Sequence, residues 1–387
     1  MKKIVSFTDY VNKIAYKFLL LFYLFIYSTF LHAQGWTELC SVPNTLNSFS
    51  DFNIQSLAVD NSGNIFAAID SVYQASLKTA DKNYIAKCNT TGLNSISDSK
   101  VSYKPIITIT SDHDGNIYTA GFPIGGTPFI PLISKWDGAN WSILPEVGLD
   151  NAHDDMIHTT VDDYGNLYAA GGFKELNGKQ YIAKWNGANW TKLDISSLHE
   201  SNGFIFCLVT DHAGNLYVSG LLTNSKGKYY VAKWDGTNWN ELGTESNTLS
   251  ANNLIEAITV DADGNIYAAG RFKNTNKKYY VAKWNGTTWS ELGGIDHSLN
   301  ANGLIIDIKT DNFGNLYAAG EFRNQDGKCY VAKWDGSSWT ELGRGMNALN
   351  ANSSIMSIFI DNKGSVYAVG SFTNANNECY IAKWNNP

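Results

Sequence analysis

The chain has 387 residues, of which 17% are charged and 13% aromatic, a composition typical of a folded protein and not of a disordered one. It contains 34 glycines but only 7 prolines, as expected of many strands joined by tight turns. The formal net charge is −7 without a basic cluster, which argues against nucleic acid and against anionic membrane as partners.

Residues 1–33 have the pattern of a secretory signal peptide. Four lysines precede an apolar run of 14 residues from Phe18 to Leu31, and Ala33 is a small residue at the expected cleavage site. The alternative is a membrane anchor, but a spanning helix needs roughly 20 residues. Cleavage leaves residues 34–387 with a net charge of −10, because the leader carries four lysines and one aspartate. We therefore expect a secreted, periplasmic or cell-surface protein without a stable membrane span.

The phrase Asp-x-x-Gly-Asn recurs along the chain, with Ser365 in place of the asparagine in the last copy. Successive copies are 52, 50, 49, 50, 50 and 50 residues apart, and a period near 50 is typical of propeller blades or a solenoid. The copies begin at Asp60, Asp112, Asp162, Asp211, Asp261, Asp311 and Asp361.

Each repeat contains four short runs rich in Ile, Val, Tyr and Trp, and none has a useful helical period. In the fifth repeat these runs are Leu254–Val260, Asn265–Arg271, Lys278–Trp284 and Trp289–Leu292. The Asp-x-x-Gly-Asn phrase is a hairpin loop, and a second hairpin, Trp-(Asn/Asp)-Gly-x-x-Trp, pairs two tryptophans across strands. The sequence thus predicts an all-β, seven-bladed propeller of four-stranded antiparallel blades.

The two ends of the chain predict how the ring closes. The last repeat ends near Trp384 without a fourth strand, whereas Trp36–Leu39 resembles a fourth strand with no repeat before it. Of the 12 tryptophans, ten form pairs within repeats, and Trp36 and Trp384 remain for a sixth pair across the closure. The first repeat departs from the pattern, with Cys88 and Leu93 at the two tryptophan positions. We expect residues 34–387 to form one domain in which the N-terminal strand completes the last blade.

The phrase Asp211-x-x-Gly-Asn-Leu-Tyr-Val-Ser-Gly220, followed by Tyr230-Val-Ala-Lys-Trp234, resembles bacterial seven-bladed propeller repeats of the SBBP type and NHL repeats. The glycine and tryptophan spacing is also similar, more weakly, to the WG repeats of tachylectin-like lectins and to kelch repeats. The resemblance covers roughly Gly35 to Pro387 and implies the propeller fold. Such families include binding modules, scaffolds and a few enzymes. The likeness to tachylectin implies sugar binding, but no sugar-contacting residue set matches position by position.

Two copies of the turn, Asp112-His-Asp114-Gly-Asn116 and Asp261-Ala-Asp263-Gly-Asn265, begin like a calcium loop. No copy supplies the later bidentate glutamate, so we interpret them as turns stabilised by the first aspartate.

A lysine precedes the first tryptophan position in every repeat and, by alternation, lies on the opposite face of its strand. We expect each lysine to be half-buried and paired with a carboxylate, since seven copies favour a structural ion pair over a catalytic lysine. The candidate partners are the aspartate that opens each repeat and Glu241, Glu291 and Glu341. The lysines are Lys87, Lys135, Lys184, Lys233, Lys283, Lys333 and Lys383.

The one local cluster of metal-ligating side chains contains His153, Asp155 and His158, at the entry to the third repeat. Histidine and aspartate can bind zinc or exchange protons, but no second cluster completes a site. We predict no catalytic residue, no metal site and no cofactor, and keep these three residues as weak metal candidates.

Five cysteines are too few for a disulfide-built scaffold. If Trp36 pairs with Trp384, Cys40 lies opposite Tyr380. A register shift of one residue would then allow a Cys40–Cys379 disulfide that locks the ring. The alternative is that each cysteine fills a small apolar position, as Cys329 would in the sixth repeat.

The short aspartate and tryptophan turns are predicted at one face of the ring. The longer connectors between blades and the loops between second and third strands lie at the other, which we call the loop face. Long loops on a rigid scaffold are where binding usually occurs. Recurring asparagines there could hydrogen-bond a ligand, although asparagine is also a common turn residue. They are Asn252, Asn302, Asn352, Asn274 and Asn324.

These observations favour an exported, non-enzymatic binding or interaction module that presents a rigid propeller face to a glycan or protein ligand. One alternative is a hydrolase- or lactonase-like propeller enzyme with a metal in the channel, and another is a purely structural surface protein. An enzyme needs unlike residues that converge from several blades on the channel. The later repeats are nearly alike, which favours the binding module.

Overall fold

The computed structural model describes residues 35–42, 52–71, 84–89, 92–96, 103–123, 132–145, 158–171, 173, 180–198 and 204–385. These residues form seven four-stranded antiparallel sheets, each of which is a blade. The first strands of consecutive blades pack against one another, and those of the seventh and first blades do so too. The blades therefore form a closed ring around a central channel, as the repeat predicts.

The strands are numbered along the chain, beginning with β1 (Trp36–Ser41). Blade 1 contains β2 (Phe52–Val59), β3 (Ile65–Ser71), β4 (Tyr84–Asn89) and β5 (Gly92–Ser95). Blade 2 contains β6 (Tyr103–Ser111), β7 (Ile117–Pro123), β8 (Leu132–Trp136) and β9 (Trp141–Ile143). Blade 3 contains β10 (His158–Val161), β11 (Leu167–Ala170), β12 (Tyr181–Trp185) and β13 (Trp190–Asp194).

Blade 4 contains β14 (Ile205–Thr210), β15 (Leu216–Gly220), β16 (Ala232–Trp234) and β17 (Trp239–Glu241). Blade 5 contains β18 (Ile255–Val260), β19 (Ile266–Gly270), β20 (Ala282–Trp284) and β21 (Trp289–Glu291). Blade 6 contains β22 (Ile305–Thr310), β23 (Leu316–Gly320), β24 (Ala332–Trp334) and β25 (Trp339–Glu341). Blade 7 contains β26 (Ile355–Ile360), β27 (Val366–Gly370), β28 (Tyr380–Trp384) and β1. Short helical turns follow blades 4, 5 and 6, at Glu245–Asn247, Gly294–His297 and Gly345–Asn347.

The N-terminal strand closes the ring as predicted. In the β1–β28 pair Trp36 lies opposite Trp384, with ring centroids 5.9 Å apart. The indole N–H of Trp36 also donates to the Leu342 carbonyl of blade 6 at 2.7 Å. The N-terminal strand is therefore bonded both to its own blade and to the blade before it. The five tryptophan pairs predicted within repeats also form, at 5.3 to 5.8 Å between ring centroids: 136/141, 185/190, 234/239, 284/289 and 334/339.

The predicted Cys40–Cys379 disulfide is wrong. The register of β1 shifts between Glu38 and Cys40, which places Cys40 opposite Ile381 instead of Tyr380. Cys40 is bonded to Cys88 of blade 1, whereas Cys379 remains a thiol. The bulge leaves Leu39 exposed and gives Cys40 the buried position that a leucine holds in blades 4 to 6. The disulfide therefore joins two blades across the closure instead of joining two strands of one blade.

The repeated aspartate organises the inner hairpin of each blade. Asp261 Oδ1 accepts the backbone N–H groups of Asp263 and Asn265, at 3.0 and 2.8 Å. Its Oδ2 accepts the Asn265 side-chain amide at 2.8 Å and the Tyr267 hydroxyl at 2.9 Å. This carboxylate is saturated by four internal donors, which supports its interpretation as a turn residue over that of a calcium ligand.

The lysines that precede the first tryptophan position do not form the ion pairs that we expected. Lys283 lies directly opposite Tyr267 in the β19–β20 pair, with its Nζ 5.3 Å from the centre of the tyrosine ring. Its counterparts make the same cation–π contact, at 5.1 to 5.6 Å, with Phe66 in blade 1 and a tyrosine in the others. The proposed glutamate partners instead accept hydrogen bonds from asparagines: Glu241 from Asn224, Glu291 from Asn274 and Glu341 from Asn324.

The hydrophobic core lies in the seams between blades. Between blades 5 and 6, for example, the buried side chains of Tyr267 and Val281 pack against Ile305, Ile308 and neighbouring alanines. Each seam contains buried apolar side chains from both blades, so the ring is a rigid support for the loops at its two faces.

Candidate functional site

The asparagines that we predicted as ligand-binding residues lie on the loop face, where they fix loop conformations. Asn252, in the connector before β18, donates to the Lys273 carbonyl at 2.9 Å and accepts the Lys273 N–H at 3.0 Å. This double hydrogen bond clamps the connector to the loop between β19 and β20. The same clamp recurs in blade 6, where Asn302 bonds the backbone of Arg323. In blade 7 Asn352 accepts the Thr373 N–H but donates to the Thr373 hydroxyl.

Asn274 and Asn324 have a second structural role. The Asn274 side-chain oxygen accepts the backbone N–H groups of Asn276 and Lys278, at 3.0 Å each, and its amide donates to Glu291 at 2.9 Å. Asn324 makes the equivalent contacts in blade 6. All five asparagines therefore use their amides within the fold, and ligand binding by them stays a prediction.

A cleft with a volume of ≈ 360 Å³ opens on the loop face beside blade 5. One of its lining residues, Tyr279, forms isolated antiparallel β-bridges through its backbone with Lys273 on one side and Ala301 on the other. Because Tyr279 is engaged in these bridges, β20 begins only at Ala282 and not at Lys278 as predicted. The lining residues are Asn252, Asn253, Arg271, Lys273, Asn274, Lys277, Tyr279 and Leu304.

The charged groups of the cleft are cationic. The Arg271 Nε donates to Glu256 at 2.6 Å, and this hydrogen bond contributes most to raising the pKa of the arginine. The Lys273 Nζ lies 4.3 Å from the centre of the Tyr279 ring, so the ammonium covers one face of the ring. Lys277 is exposed at the rim, with a backbone φ of 59°.

Among blades 4 to 7, blade 5 alone combines three cations at these positions. The position of Lys277 is a glycine in blades 4 and 6, Gly227 and Gly327, which also have positive φ angles of 66° and 72°. Lysine is disfavoured there by about 1–2 kcal/mol because its Cβ approaches the following carbonyl. The position of Arg271 is Leu221 in blade 4, Glu321 in blade 6 and Ser371 in blade 7. The position of Lys273 is Thr223, Arg323 and Thr373 in the same blades. Repeat counting identified the constant asparagines and missed these variable neighbours.

A second set of unlike residues lies in the channel. Four residues before each repeated aspartate, the first strands carry small or polar side chains that differ from blade to blade. A β-bulge precedes this position in blades 1, 2, 4, 5, 6 and 7. Such bulges redirect the side chains that follow them. The residues are Ser56, Thr108, His158, Cys207, Ala257, Asp307 and Ser357.

Asp307 is the centre of this set. Its Oδ1 accepts a hydrogen bond from the Lys309 Nζ at 2.6 Å, and its Oδ2 accepts the Ile358 N–H at 2.9 Å and the Ser357 hydroxyl at 3.2 Å. The Lys309 side chain retains 41% of its surface accessible, whereas Asp307 retains 14%. Burial alone would lower the pKa of Lys309, but the Asp307 carboxylate outweighs it and raises that pKa.

His158 and Cys207 lie close enough to Lys309 for its charge to act on both. The Nε2 atom of His158 is buried and has no partner among the residues that the structure describes. Burial, and then the charge of Lys309, lower the pKa of His158 to about 4. Burial raises the pKa of the Cys207 thiol, with Lys309 acting in the opposite direction. His158 is therefore neutral at pH 7. Its two predicted metal-site companions, His153 and Asp155, lie outside the described residues.

A third cluster lies on the opposite face, among the aspartate turns. Asp163 of blade 3 accepts hydrogen bonds from His113 of blade 2 at 2.9 Å and from His212 of blade 4 at 2.5 Å. These two hydrogen bonds lower the pKa of Asp163, and the bond from His113 has the larger effect. Each of the three residues directly follows a repeated aspartate. This shared position in the repeat would have been enough to predict from the sequence that they are neighbours. Within the described ranges, no group of three or more His, Cys, Asp or Glu side chains is placed to hold a metal ion.

No family model matches the chain, and no curated protein does. The chain is similar to several solved propellers. The extracellular domain of a proposed one-component system from B. thetaiotaomicron is 10% identical, with a TM-score of 0.56 over 91% of this chain. This chain spans only 40% of that protein's length.

Two further structures match over most of their own length. YCF48 bound to D1 peptide is 12% identical with a TM-score of 0.55, covering 92% of this chain and 99% of that one. The β-propeller domain of the Trilobed protease from Pyrococcus furiosus is 12% identical with a TM-score of 0.57, covering 88% of this chain and 95% of that one. At these identities the likeness shows the propeller fold, and the SBBP and NHL families stay an expectation from the sequence. No helix among the described residues is long and apolar enough to cross a membrane.

Proposed function

We propose that the protein is an exported, non-enzymatic binding module that holds a protein ligand on its loop face. The observation that carries this proposal is the blade 5 cleft, where residues that break the repeat gather on a rigid ring. Loops on a rigid scaffold form binding sites at little cost in ordering, because the scaffold fixes them beforehand.

Export is supported by the predicted leader over residues 1–33. Among the structures of similar fold, one is an extracellular domain and another, YCF48, is bound to D1 peptide. These neighbours support a binding role through the fold that they share with this chain.

The aromatic side chains favour a protein ligand over a glycan. The paired tryptophans pack against one another at 5.3 to 5.9 Å, and indole N–H groups such as that of Trp289 donate to the adjacent blade. Tyr279, the aromatic residue of the cleft, has Lys273 over one face. These rings are thus engaged in packing and are poor platforms for stacking a sugar ring.

The experiment is a screen of the full chain against peptide and glycan arrays, followed by hydrogen exchange on any complex found. We expect a peptide to bind and to slow exchange of backbone amides in the loop-face segments, such as 271–279 and 299–304. Protection confined to the aspartate turns, or binding of neutral glycans alone, would contradict the proposal.

A propeller enzyme is the second candidate, because unlike residues from blades 3, 4, 6 and 7 do meet in the channel. However, Asp307 already accepts three hydrogen bonds, and burial keeps the Cys207 thiol protonated. These groups are better suited to holding the seams together than to proton transfer. Stoichiometric bound metal together with hydrolysis of ester or lactone substrates, abolished by His158→Thr, would favour the enzyme instead.

A further inference from the structure

We propose that the blade 5 cleft recognises the carboxylate side chains of an acidic protein segment. This inference rests on the proposed function and names the chemistry of its ligand. Three features of the cleft support it. Its charged side chains are hydrogen-bond donors, one of them adopts a strained backbone conformation, and its charge differs from that of the other blades.

The charged side chains that line the cleft are all hydrogen-bond donors. Asn252 and Asn274 use both ends of their amides within the fold. Arg271, Lys273 and Lys277 are donors that cannot accept a hydrogen bond. A site made of charged donors selects a ligand that only accepts, and an ionised carboxylate is such a group. A neutral sugar hydroxyl, which both donates and accepts, would use such a site poorly.

Lys277 shows that the chain accepts strain to place a cation at the rim. Its φ of 59° belongs to the left-handed region, where blades 4 and 6 have glycine and blade 7 has Asn377. Nothing within 4 Å of a Cβ at Gly227 or Gly327 would exclude a side chain, so backbone conformation alone favours glycine there. Strained residues that the surrounding fold tolerates are concentrated at functional sites.

The charge of the cleft is opposite to that of the chain. Arg271, Lys273 and Lys277 line the cleft, whereas the whole protein carries a formal net charge of −7. Glu256 pairs with Arg271, and the charge of Glu321 in blade 6 also acts on that arginine, so the three cations outnumber these two carboxylates. In blade 6 the equivalent of Arg271 is Glu321, which would repel a carboxylate. An acidic ligand would therefore be directed to blade 5 and away from the equivalent surface of the next blade.

The test uses fluorescein-labelled hexaglutamate peptide and the full chain, with affinity measured by fluorescence anisotropy at several salt concentrations. The double variant Lys273→Thr, Lys277→Gly gives blade 5 the residues of blade 4. We expect it to weaken binding by at least about tenfold and to reduce its salt dependence, because two charge-assisted contacts are lost. Arg323→Thr in blade 6, at the position equivalent to Lys273, is the matched control and should bind as the parent protein does.

Urea unfolding of the double variant checks that it folds. Lys277→Gly relieves the positive φ and should offset the loss of the Lys273–Tyr279 contact, so the urea midpoint of unfolding should stay close to that of the parent protein. Unchanged affinity in the double variant, or an unmodified protein that does not bind hexaglutamate, would overturn the inference. Polygalacturonate that binds more tightly than the peptide and depends equally on the two lysines would show that the ligand is a glycan.

The two proposals fail in different ways. A peptide from the array screen that protects the loop face but is indifferent to the double variant would sink the carboxylate inference and leave the binding module intact. If neither peptide nor glycan protects any loop-face amide, the proposed function itself is wrong.

Discussion

Cys40 of the N-terminal strand is bonded to Cys88 of blade 1, with their Cα atoms 6.1 Å apart. This bond lies at the seam between blades 7 and 1, where the sequence replaces the usual fourth-strand tryptophan with Leu93. At most other seams that tryptophan donates its indole N–H to a backbone carbonyl of the preceding blade. A covalent bond thus takes the place of a hydrogen bond where the two ends of the ring meet.

Removal of this disulfide should therefore weaken the closure. A cross-link between residues 48 positions apart lowers the conformational entropy of the unfolded chain, which stabilises the fold by about 4 kcal/mol at 25 °C. We expect Cys40→Ala with Cys88→Ala to lower the free energy of unfolding in urea by about that amount. The same variant should be insensitive to reductant, unlike the parent protein.

Thiol counting gives the control for this prediction. Three of the five cysteines, Cys207, Cys329 and Cys379, should react with a thiol reagent in denaturant without reductant. Five reactive thiols, or a Cys40–Cys379 peptide in a non-reducing digest, would contradict the pairing.

The tryptophans offer a matched pair of variants. Trp289 donates to the Leu242 carbonyl at 2.8 Å, whereas the indole nitrogen of Trp339 is buried with no partner among the described residues. Both rings pack on a partner tryptophan at similar distances, 5.8 and 5.7 Å. Trp289→Phe should therefore cost about 1 kcal/mol more free energy of unfolding than Trp339→Phe, since only the first variant loses a hydrogen bond. Equal losses in urea unfolding would contradict the role of the indole bond.

The repeated aspartate provides a test within one turn. Asp261→Ala removes the acceptor of four hydrogen bonds and leaves the partly buried Tyr267 hydroxyl without its partner. Burial, and then the hydrogen bond to Asp261, raise the pKa of that hydroxyl. We expect a loss of about 2–3 kcal/mol in the free energy of unfolding.

The control is Asp263→Ala, two residues along the same turn. Asp263 is exposed and contributes its backbone N–H, which alanine retains, so stability should change by less than about 0.5 kcal/mol. Similar losses in the two variants would show that the Asp261 carboxylate is not what holds the turn.

The fold was predictable because its determinants repeat. Strand number, turn chemistry, tryptophan pairing and closure by Trp36 follow from a constant phrase spaced about 50 residues apart. The cysteine pairing did not follow, because a single bulge at Leu39 changes the register and no strand pattern encodes it. The lysine contact could have been found, since Lys283 and Tyr267 are direct cross-strand neighbours once the hairpin is drawn.

The candidate sites were harder to predict, because they consist of residues that depart from the repeat. Lys277 and Asp307 carry no pattern of their own, and their roles become visible only when the fold places them beside Asn252 and Ser357, which are distant in sequence. Asn252 and Asn274 do repeat, but their repetition reflects structural roles: a loop clamp in blades 5 to 7 and a loop turn in blades 4 to 7.

The channel histidine makes stability dependent on pH. His158 has a pKa of about 4 in the folded chain, below the ordinary value of 6.5 expected after unfolding. Between these values the unfolded chain binds a proton that the folded chain excludes, because burial and the nearby Lys309 ammonium disfavour a second positive charge. The contribution of His158 is therefore fully present above pH 6.5 and is lost as the pH falls towards 4, by up to about 3 kcal/mol.

We expect urea unfolding of the parent protein to show this decline in the free energy of unfolding between pH 6.5 and 4. His158→Thr, which introduces the residue type of Thr108 in blade 2, should flatten that decline. His297→Ser changes an exposed histidine and should leave it intact. The carboxylates whose pKa values are lowered, such as that of Asp163, act mainly below pH 3.8. Burial raises the pKa of Glu241 above 4.5, so this carboxylate acts within the window with the opposite sign, equally in all three proteins, and the difference between variants reports the histidine. An ordinary His158 pKa in an NMR titration, or an unchanged slope in His158→Thr, would show that the channel does not hold the imidazole neutral.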